Sequence, residues 1–210
     1  MCIRDSAWGA DGNLYVASFN TDAVLRYHGA TGEFLGTFVT GASGGLNGPD
    51  NGATFGPDGN LYVPSYFNNR ILKYNGTTGA FIGAFVGNIG RPRVLEFRGE
   101  HVYITSETLD SVRRYNAATG AFVDSFIAPG SGGLDTPVGL AFDENYAYVT
   151  SSTTDQVLRY DAITGAFIDV FVNPAPGGID GPVFLTVIPS PSAAVPLALG
   201  LLALRSRRRG

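Results

Sequence analysis

DGNLYVPSYFNNRILKYNGTTGAFIGAF, residues 58–85, decides the fold because the chain repeats it. Copies of the same pattern begin at residues 11, 99 and 144, as DGNLYVASFNTDAVLRYHGATGEFLGTF, GEHVYITSETLDSVRRYNAATGAFVDSF and ENYAYVTSSTTDQVLRYDAITGAFIDVF. Repeats of this kind are typical of arrays in which each unit buries its apolar surface against its neighbours. The chain therefore holds four copies of one structural unit.

The copies vary in length in one place only. The first tyrosines of successive copies are 47, 41 and 45 residues apart, whereas the second tyrosine follows the first by 12 residues in every copy. All of the variation falls between the last phenylalanine of one copy and the first strand of the next. We expect that segment to be a loop on the surface.

Each copy predicts four short strands joined by tight turns. In the second copy these are GATF, NLYVPSY, RILKYN and AFIGAF, separated by GPDG, FNN and GTTG. Asp-Gly and Thr-Gly favour hairpin turns, and the strands are rich in aromatic and β-branched residues. A row of four-stranded antiparallel units at this period predicts an all-β fold, a β-propeller built from blades.

Two rows of phenylalanines are predicted to lie in the fourth strands and to pack between blades. The rows are Phe34, Phe81, Phe122 and Phe167, and Phe38, Phe85, Phe126 and Phe171.

The repeat, written with its first turn as GPDGNLYVPSYFNNRILKYNGTTGAFIGAF, resembles an NHL-type propeller blade. That class is related to the lactonase and virginiamycin-lyase propellers, and the resemblance extends from residue 7 to about residue 188. It implies the fold more than the function, since the architecture serves enzymes, sugar binders and protein-binding scaffolds. Rings of this family usually have about six blades, which implies that the four copies belong to a larger ring.

The domain boundaries follow from the repeat. MCIRDS resembles a translated sequencing-adapter scar, so residues 1–6 are interpreted as foreign and the natural N-terminus as lost. PVFLTVI aligns with PVGLAFD of the fourth copy and is predicted to be a closing strand. The blades are expected at about 7–46, 47–90, 91–134 and 135–180, with the closing strand at 182–188 and a separate tail at 189–210.

Charge and cysteine content exclude several classes of function. Four of the 14 basic residues lie in the tail, which leaves the body with 10 basic and 18 acidic groups and a net charge near −8. Nucleic-acid binding needs a basic surface, so no nucleic-acid partner is expected. The only cysteine is Cys2, which rules out a disulfide framework and a cysteine-based metal site.

Residues that recur in every copy are expected to be structural, because a protein normally has one active site rather than one in each repeat. Ser18, Ser65, Ser106 and Ser151 recur at one position, so we expect none of them to be a nucleophile. His28 stands where other copies have asparagine or aspartate, and is predicted to be a turn residue that tolerates unusual backbone angles. No catalytic residue is predicted.

Ligand-binding candidates lie on the face that carries the inter-blade loops and the corners after each second strand. Two interpretations of its oxygen-rich residues remain open: a rim that binds a glycan or a divalent cation such as calcium, or residues that simply cap turns. The shortest loop, GNIGRPRV, differs by carrying two arginines, either on a solvated edge or in contact with an anionic ligand. The candidates are Asn47, Asp50, Asn68, Arg91, Arg93, Glu107, Asp135 and Asp180.

The C-terminal tail is interpreted as a sorting signal. An apolar stretch at 193–204 follows a proline motif and precedes an arginine cluster, an order that resembles the PEP-CTERM sorting signal of bacteria. The resemblance implies a short hydrophobic helix, recognition by an exosortase-like enzyme, export, and at least transient anchoring in the membrane, with the arginines on the cytoplasmic side. The family prefers glutamate between the prolines, where this chain has serine. The residues are Pro189, Ser190, Pro191 and Ser192, followed by Arg205, Arg207, Arg208 and Arg209.

Three functional hypotheses follow. The first is a surface-associated or matrix-associated propeller that binds an extracellular polysaccharide or a protein through its loops. The second is a secreted metal-dependent enzyme of the lactonase or lyase sort, which would need an acidic cluster that breaks the repeat. The third is a structural element of the cell envelope. No cofactor is evident, and calcium is the candidate ion.

Overall fold

The fold consists of four antiparallel sheets of four strands each, and the computed structural model describes residues 6–50, 52–174 and 178–187. Within every sheet the strands follow one another in chain order. The expected all-β class is confirmed. The strands are β1 (Ser6–Trp8), β2 (Leu14–Ser18), β3 (Ala23–Tyr27) and β4 (Phe34–Val39); β5 (Thr54–Phe55), β6 (Leu61–Ser65), β7 (Arg70–Tyr74) and β8 (Phe81–Val86); β9 (Pro92–Arg98), β10 (His101–Ser106), β11 (Ser111–Asn116) and β12 (Phe122–Ile127); β13 (Pro137–Phe142), β14 (Tyr146–Ser151), β15 (Gln156–Asp161) and β16 (Phe167–Val172). Short 3₁₀ turns are at Phe19–Thr21, Ser43–Gly45, Tyr66–Asn68, Glu107–Leu109 and Ser131–Gly133.

Two opposite faces of the molecule carry the connections. Because consecutive strands run antiparallel, the first and third turns of each sheet lie at one end of the strands, which we call the turn face. The corner after the second strand and the loops between sheets lie at the other end, which we call the loop face. The backbone N–H of Gly48, in an inter-sheet loop, donates to the corner residue Asp22 at 2.7 Å, which confirms that loops and corners share a face.

The third turn of each sheet is held by a side-chain acceptor. The Asn75 amide oxygen accepts hydrogen bonds from the N–H groups of Thr77 and Thr78 at 3.0 and 2.9 Å. His28 takes the same role, since its Nδ1 accepts from the N–H of Thr31 at 3.1 Å. The prediction that His28 is a turn residue is confirmed, but the reason is its side-chain acceptor, since its backbone is not left-handed.

The cores lie between consecutive sheets and are centred on aromatic triads. Tyr15 contacts Phe38 of its own sheet at 4.7 Å between ring centroids, and Phe55 of the next sheet at 5.0 Å. Edge-to-face contacts of this kind add to the free energy of apolar burial. The equivalent triads are Tyr62, Phe85 and Phe97, and Tyr103, Phe126 and Phe142. The prediction that this row of phenylalanines packs between blades is confirmed for the three internal junctions.

The other phenylalanine row packs between blades only in part: Phe81 and Phe167 lie against Gly44 and Gly132 of the preceding inter-sheet loops, but all four rings are largely exposed. Phe34 pairs with Tyr27 while Gly36 pairs with Arg26, so Leu35 is an extra residue on β4. A bulge of one residue turns the side chain before it to the opposite side of the sheet. The same irregularity recurs in all four sheets. The four side chains are therefore 40–55% exposed: Phe34, Phe81, Phe122 and Phe167.

Residues 182–187 are not assigned to a strand, and Ile188 lies outside the described residues, so the closing strand at 182–188 stays a prediction. The segment nevertheless lies along the fourth sheet, where the inner strand of a next sheet would lie. Val187 lines a groove with Tyr148 and Phe171, in the position that Phe142 holds against the third sheet. A strand needs a neighbour for its hydrogen bonds, and the sequence that follows this segment is a Pro-Ser-Pro motif rather than a turn and a second strand.

Candidate functional site

A hydrogen bond between the corner and the following loop recurs on the loop face of all four sheets. The last corner residue has a left-handed backbone, with φ between 46° and 57°, and its side chain accepts from a backbone N–H of the following loop at 2.7–2.9 Å. After glycine, asparagine and aspartate tolerate this backbone conformation best. These side chains are thus engaged in structure: Asp22, Asn69, Asp110 and Asp155, bonded to Gly48, Arg91, Thr136 and Gly181.

The recurring serines serve the same purpose. Ser65 accepts from the N–H of Asn47 at 3.0 Å, and Ser151 accepts from the N–H of Asp135 at 2.9 Å. Ser106 donates to the carbonyl of Gly90 at 3.0 Å. Each hydroxyl is buried against the loop that enters its own sheet, which agrees with the structural role expected for this row.

The junction between the second and third sheets departs from the repeat. At the other two internal junctions the loop carries a Ser-Gly-Gly turn, and the carbonyls of Ser43 and Ser131 each accept from a buried tyrosine hydroxyl at 2.7 Å. The short loop at residues 87–91 has no such turn. The hydroxyl of Tyr115 is consequently buried with no hydrogen-bond partner.

Arg113 occupies the space that the missing turn would fill. Gly132 packs on the Phe167 ring so closely that an added Cβ would lie 2.1 Å from a ring carbon. At the short junction the Arg113 guanidinium covers the Phe122 ring instead, 4.5 Å from its centroid, and Nη1 donates to the Asn88 carbonyl at 3.0 Å. Arg113 was not among the residues predicted from the sequence, although the other copies have leucine at this position and the difference was visible there.

Four predicted residues meet in one ion network at the short junction. Nη1 of Arg93 contacts Oδ2 of Asp50 at 2.6 Å, and Nε contacts Oε2 of Glu107 at 2.6 Å. Nη1 of Arg91 contacts Oε1 of Glu107 at 3.3 Å. Two arginines thus neutralise two carboxylates that come from different sheets.

Tyr66 completes the network. Its hydroxyl donates to Oε1 of Glu107 at 2.8 Å, and the guanidinium carbons of Arg93 and Arg91 lie 4.7 and 5.2 Å from its ring centroid. Cations over an aromatic ring are stabilised by its quadrupole. Tyr66 was not among the residues predicted from the sequence. The signal was available, since the copies have phenylalanine, tyrosine, glutamate and serine at this corner position.

The ionisation of the network follows from its contacts. Burial alone would raise the pKa of Glu107, but hydrogen bonds from Tyr66 and the two arginines lower that pKa below its usual range. Burial and the neighbouring Glu107 carboxylate raise the pKa of the Tyr66 hydroxyl. Burial would lower the pKa of Arg93, but its two carboxylates raise it. These shifts keep Glu107 and Arg93 charged at neutral pH, and the formal charges of the two arginines and the two carboxylates cancel.

An aromatic patch borders the network. We define it as Phe19 and Phe67, which are 39% and 54% exposed, together with the buried Tyr66 beneath them. The ring centroids of Phe19 and Phe67 are 5.5 Å apart, and Phe67 lies 5.0 Å from Tyr66. A patch of exposed rings beside fixed polar groups is typical of a binding surface.

The remaining candidates lie outside the ion network. The Asn68 amide donates to the Gly45 carbonyl and, at 3.2 Å, to the Ser65 hydroxyl, so it braces the adjoining loop. Asp135 belongs to the next junction, where its carboxylate accepts from the hydroxyl of Thr136 at 2.9 Å. Asn47 and Asp180 are exposed loop residues.

Among the described residues there is neither a recognisable metal-binding group nor a membrane-spanning helix. The part of the chain that the structure describes contains no group of three or more histidine, cysteine, aspartate or glutamate side chains that could hold a metal ion. Calcium binding stays a prediction. None of the described segments forms a helix long and apolar enough to cross a membrane. The predicted tail signal and helix, at 189–210, lie outside the described residues.

Comparisons with known proteins identify the fold alone. No protein-family model and no curated protein sequence matches this chain. The computationally designed Ika8 protein superposes with a TM-score of 0.59 and 14% identity, over 85% of this chain and 51% of the designed chain. Hydrazine synthase of Kuenenia stuttgartiensis superposes with a TM-score of 0.62 and 15% identity, over 78% of this chain and 47% of the other.

These observations define the chain as four blades of a β-propeller. Consecutive four-stranded meanders that pack face to face, with loops gathered at one end, are the architecture of that class. The chain spans about half the length of the solved chains that it matches.

Proposed function

We propose that the protein is an exported binding module whose loop face holds an extracellular polysaccharide. The observation that carries the proposal is the departure from the repeat at the short junction, where the ion network adjoins the aromatic patch. Sugar-binding surfaces combine aromatic rings, which stack on the apolar face of a sugar, with fixed polar groups that bond its hydroxyls. Phe67 supplies the most exposed ring, and Arg91, 48% exposed, supplies the most accessible charge.

Rigidity supports this role. The network ties Asp50 of the second blade to residues of the third, so the surface is pre-organised before a ligand arrives. A pre-organised surface loses less entropy on binding than a mobile one. The network has no net charge, which suits a ligand with many hydroxyl groups.

The test is affinity electrophoresis in native gels that contain dextran, xylan or alginate. We expect at least one polymer to retard the protein, and Phe67→Ala to bind it about fivefold more weakly, since a stacked ring contributes about 1 kcal/mol. Phe122→Ala is the matched control, because Phe122 is 51% exposed but lies on the outer strand of the third blade, away from the patch.

Two results would contradict the proposal. If none of the polymers retards the wild type, a polysaccharide is not the ligand, and the hypothesis of a protein partner takes its place. If the Phe67 and Phe122 variants lose retardation equally, the aromatic patch is not the binding surface. No contact among the described residues favours the metal-dependent enzyme, which stays a prediction.

We also propose that the tail directs export and is removed by an exosortase-like enzyme. The support is the order of the proline motif, the apolar stretch and the arginine cluster in the sequence. Mass spectrometry of the C-terminus from surface and medium fractions tests this. A chain that ends near 190–192 is expected, and an intact arginine cluster in the membrane fraction would contradict removal.

A further inference from the structure

A cation on the turn face lacks the carboxylate in direct contact that its counterparts in the other blades have. One position on the third strand carries a basic residue in all four blades. In the fourth blade, Nε and Nη2 of Arg159 donate to the two oxygens of Asp169 on the neighbouring strand, at 3.0 and 2.5 Å. Arg114 and Asp124 form the same two-pronged pair in the third blade. Such pairs are the strongest geometry for an arginine and a carboxylate.

The first blade has the arginine without the aspartate. Arg26 pairs across the strands with Gly36, which has no side chain. Its Nε is buried and has no hydrogen-bond partner. The second blade also has a glycine at this position, Gly83, but Lys73 there turns to Asp58 at 2.7 Å. Asp11 of the first blade corresponds to Asp58 and attracts Arg26 at longer range, but Arg26 is the one of these four basic side chains with no ion pair within 4.0 Å.

A cavity adjoins Arg26. It lies between the first and second blades, has a volume of about 650 Å³, and is also lined by Tyr15, Phe55, Gly56 and Thr77. The cavity thus combines an unpaired guanidinium nitrogen with aromatic walls. A buried donor of this kind is costly to leave unsatisfied, and a ligand that supplies an acceptor gains from it.

A carboxylate is compatible with the acidic residue that also lines the cavity. Asp11 already accepts from the Tyr15 hydroxyl at 2.9 Å. In the fourth blade, Asp143 accepts from the Tyr148 hydroxyl at 2.9 Å in the same way, and Asp169 nevertheless occupies the place beside Arg159. The fourth blade therefore accommodates both carboxylates together, with the charge of Arg98 from the neighbouring blade also acting on Asp143.

We propose that the cavity binds a small carboxylic acid, whose carboxylate takes the place beside Arg26 that Asp124 and Asp169 take in the later blades. The apolar walls and the volume suit a molecule up to the size of a hexuronic acid. The site is on the turn face, so it is independent of the loop-face function proposed above. Its ligand is recognised through one charge on one arginine.

The test is NMR titration of the protein with sodium acetate, sodium galacturonate and galactose at constant ionic strength. We expect saturable shifts at the residues that line the cavity with a carboxylate, and none with galactose. Acetate and galacturonate separate the two sources of the charge: equal binding indicates that the carboxylate suffices, and tighter binding of galacturonate indicates that the sugar ring contributes. Arg26→Gln is expected to weaken binding at least tenfold, and Arg26→Lys less.

Arg159→Gln is the matched control, since it removes an arginine from the same strand position and should leave binding unchanged. Gly36 is not a useful site for adding the missing carboxylate, because its φ of 125° would strain any other residue. The proposal is refuted if Arg26→Gln, shown to be folded by its thermal transition, binds as the wild type does. It is equally refuted if galactose binds as well as galacturonate, or if neither acid saturates below about 50 mM, which is weaker than specific small-molecule sites reach.

Discussion

Removing the Arg93 guanidinium is expected to destabilise the protein far more than removing a surface arginine. Arg93 neutralises Asp50 and Glu107, whose side chains are only 4% and 11% exposed. The change Arg93→Met keeps the apolar stem but leaves both carboxylates without their main cation. Breaking a buried ion pair costs ~3–5 kcal/mol. Because Arg93 is partly exposed and Arg91 still contacts Glu107, we expect the lower end, about 3 kcal/mol.

Urea and thermal unfolding, followed by circular dichroism, measure this loss. For a domain of this size, about 3 kcal/mol corresponds to a fall of about 9 °C in Tm. Arg114→Met is the matched control, because its partner Asp124 is 44% exposed. A pair so open to solvent contributes at most about 1 kcal/mol. Equal losses in the two variants would refute the reasoning that the network is a buried, mutually dependent unit.

Three further predictions concern the same junction and its counterparts. Tyr74→Phe should cost about 1 kcal/mol of stability, because the buried hydroxyl donates to the Ser43 carbonyl. Tyr115→Phe should cost nothing or stabilise the protein, because its hydroxyl has no hydrogen-bond partner, and equal losses of the two variants in urea unfolding would contradict this. Arg91→Gly should leave stability unchanged or raise it by up to about 1 kcal/mol, since glycine adopts the left-handed backbone at φ 49° without strain and this gain offsets the loss of a weak ion pair. A clear loss of Tm would show that the ion pair dominates. The stability difference between wild type and Glu107→Gln should be constant above about pH 5 and vanish as the pH falls through the lowered pKa of folded Glu107, because the contacts of the folded state stabilise only the ionised carboxylate. Urea unfolding between about pH 2.5 and 7 measures this difference, and a difference that persists at the lowest pH would refute the assignment.

The repeat alone predicted much of the fold. Spacing and turn residues indicated four-stranded antiparallel units in chain order, and the row of Phe38, Phe85 and Phe126 between blades. Repetition also separated structural residues, such as Ser65, from the residues that differ between copies. These inferences succeed because turns and strand periodicity depend on residues close together in the sequence.

The candidate site was only half predicted. Asp50, Arg91, Arg93 and Glu107 were all singled out, but as members of a broad rim with Asp135 and Asp180 rather than as one network. Arg93 lies 43 residues from Asp50 and 14 from Glu107, so their contacts depend on how neighbouring blades pack.

What the sequence determined by itself was therefore the unit: its strands, its turns and its number of copies. The tertiary structure decided which side chains face one another. A bulge of one residue in each outer strand placed Phe34 and its counterparts on the opposite side of the sheet, where they are largely exposed, because side chains alternate between the two sides of a strand. Likewise, the unpaired nitrogen of Arg26 became visible only beside Gly36 on the neighbouring strand. Contacts between units are not encoded by local periodicity, and both proposed sites lie at junctions between blades.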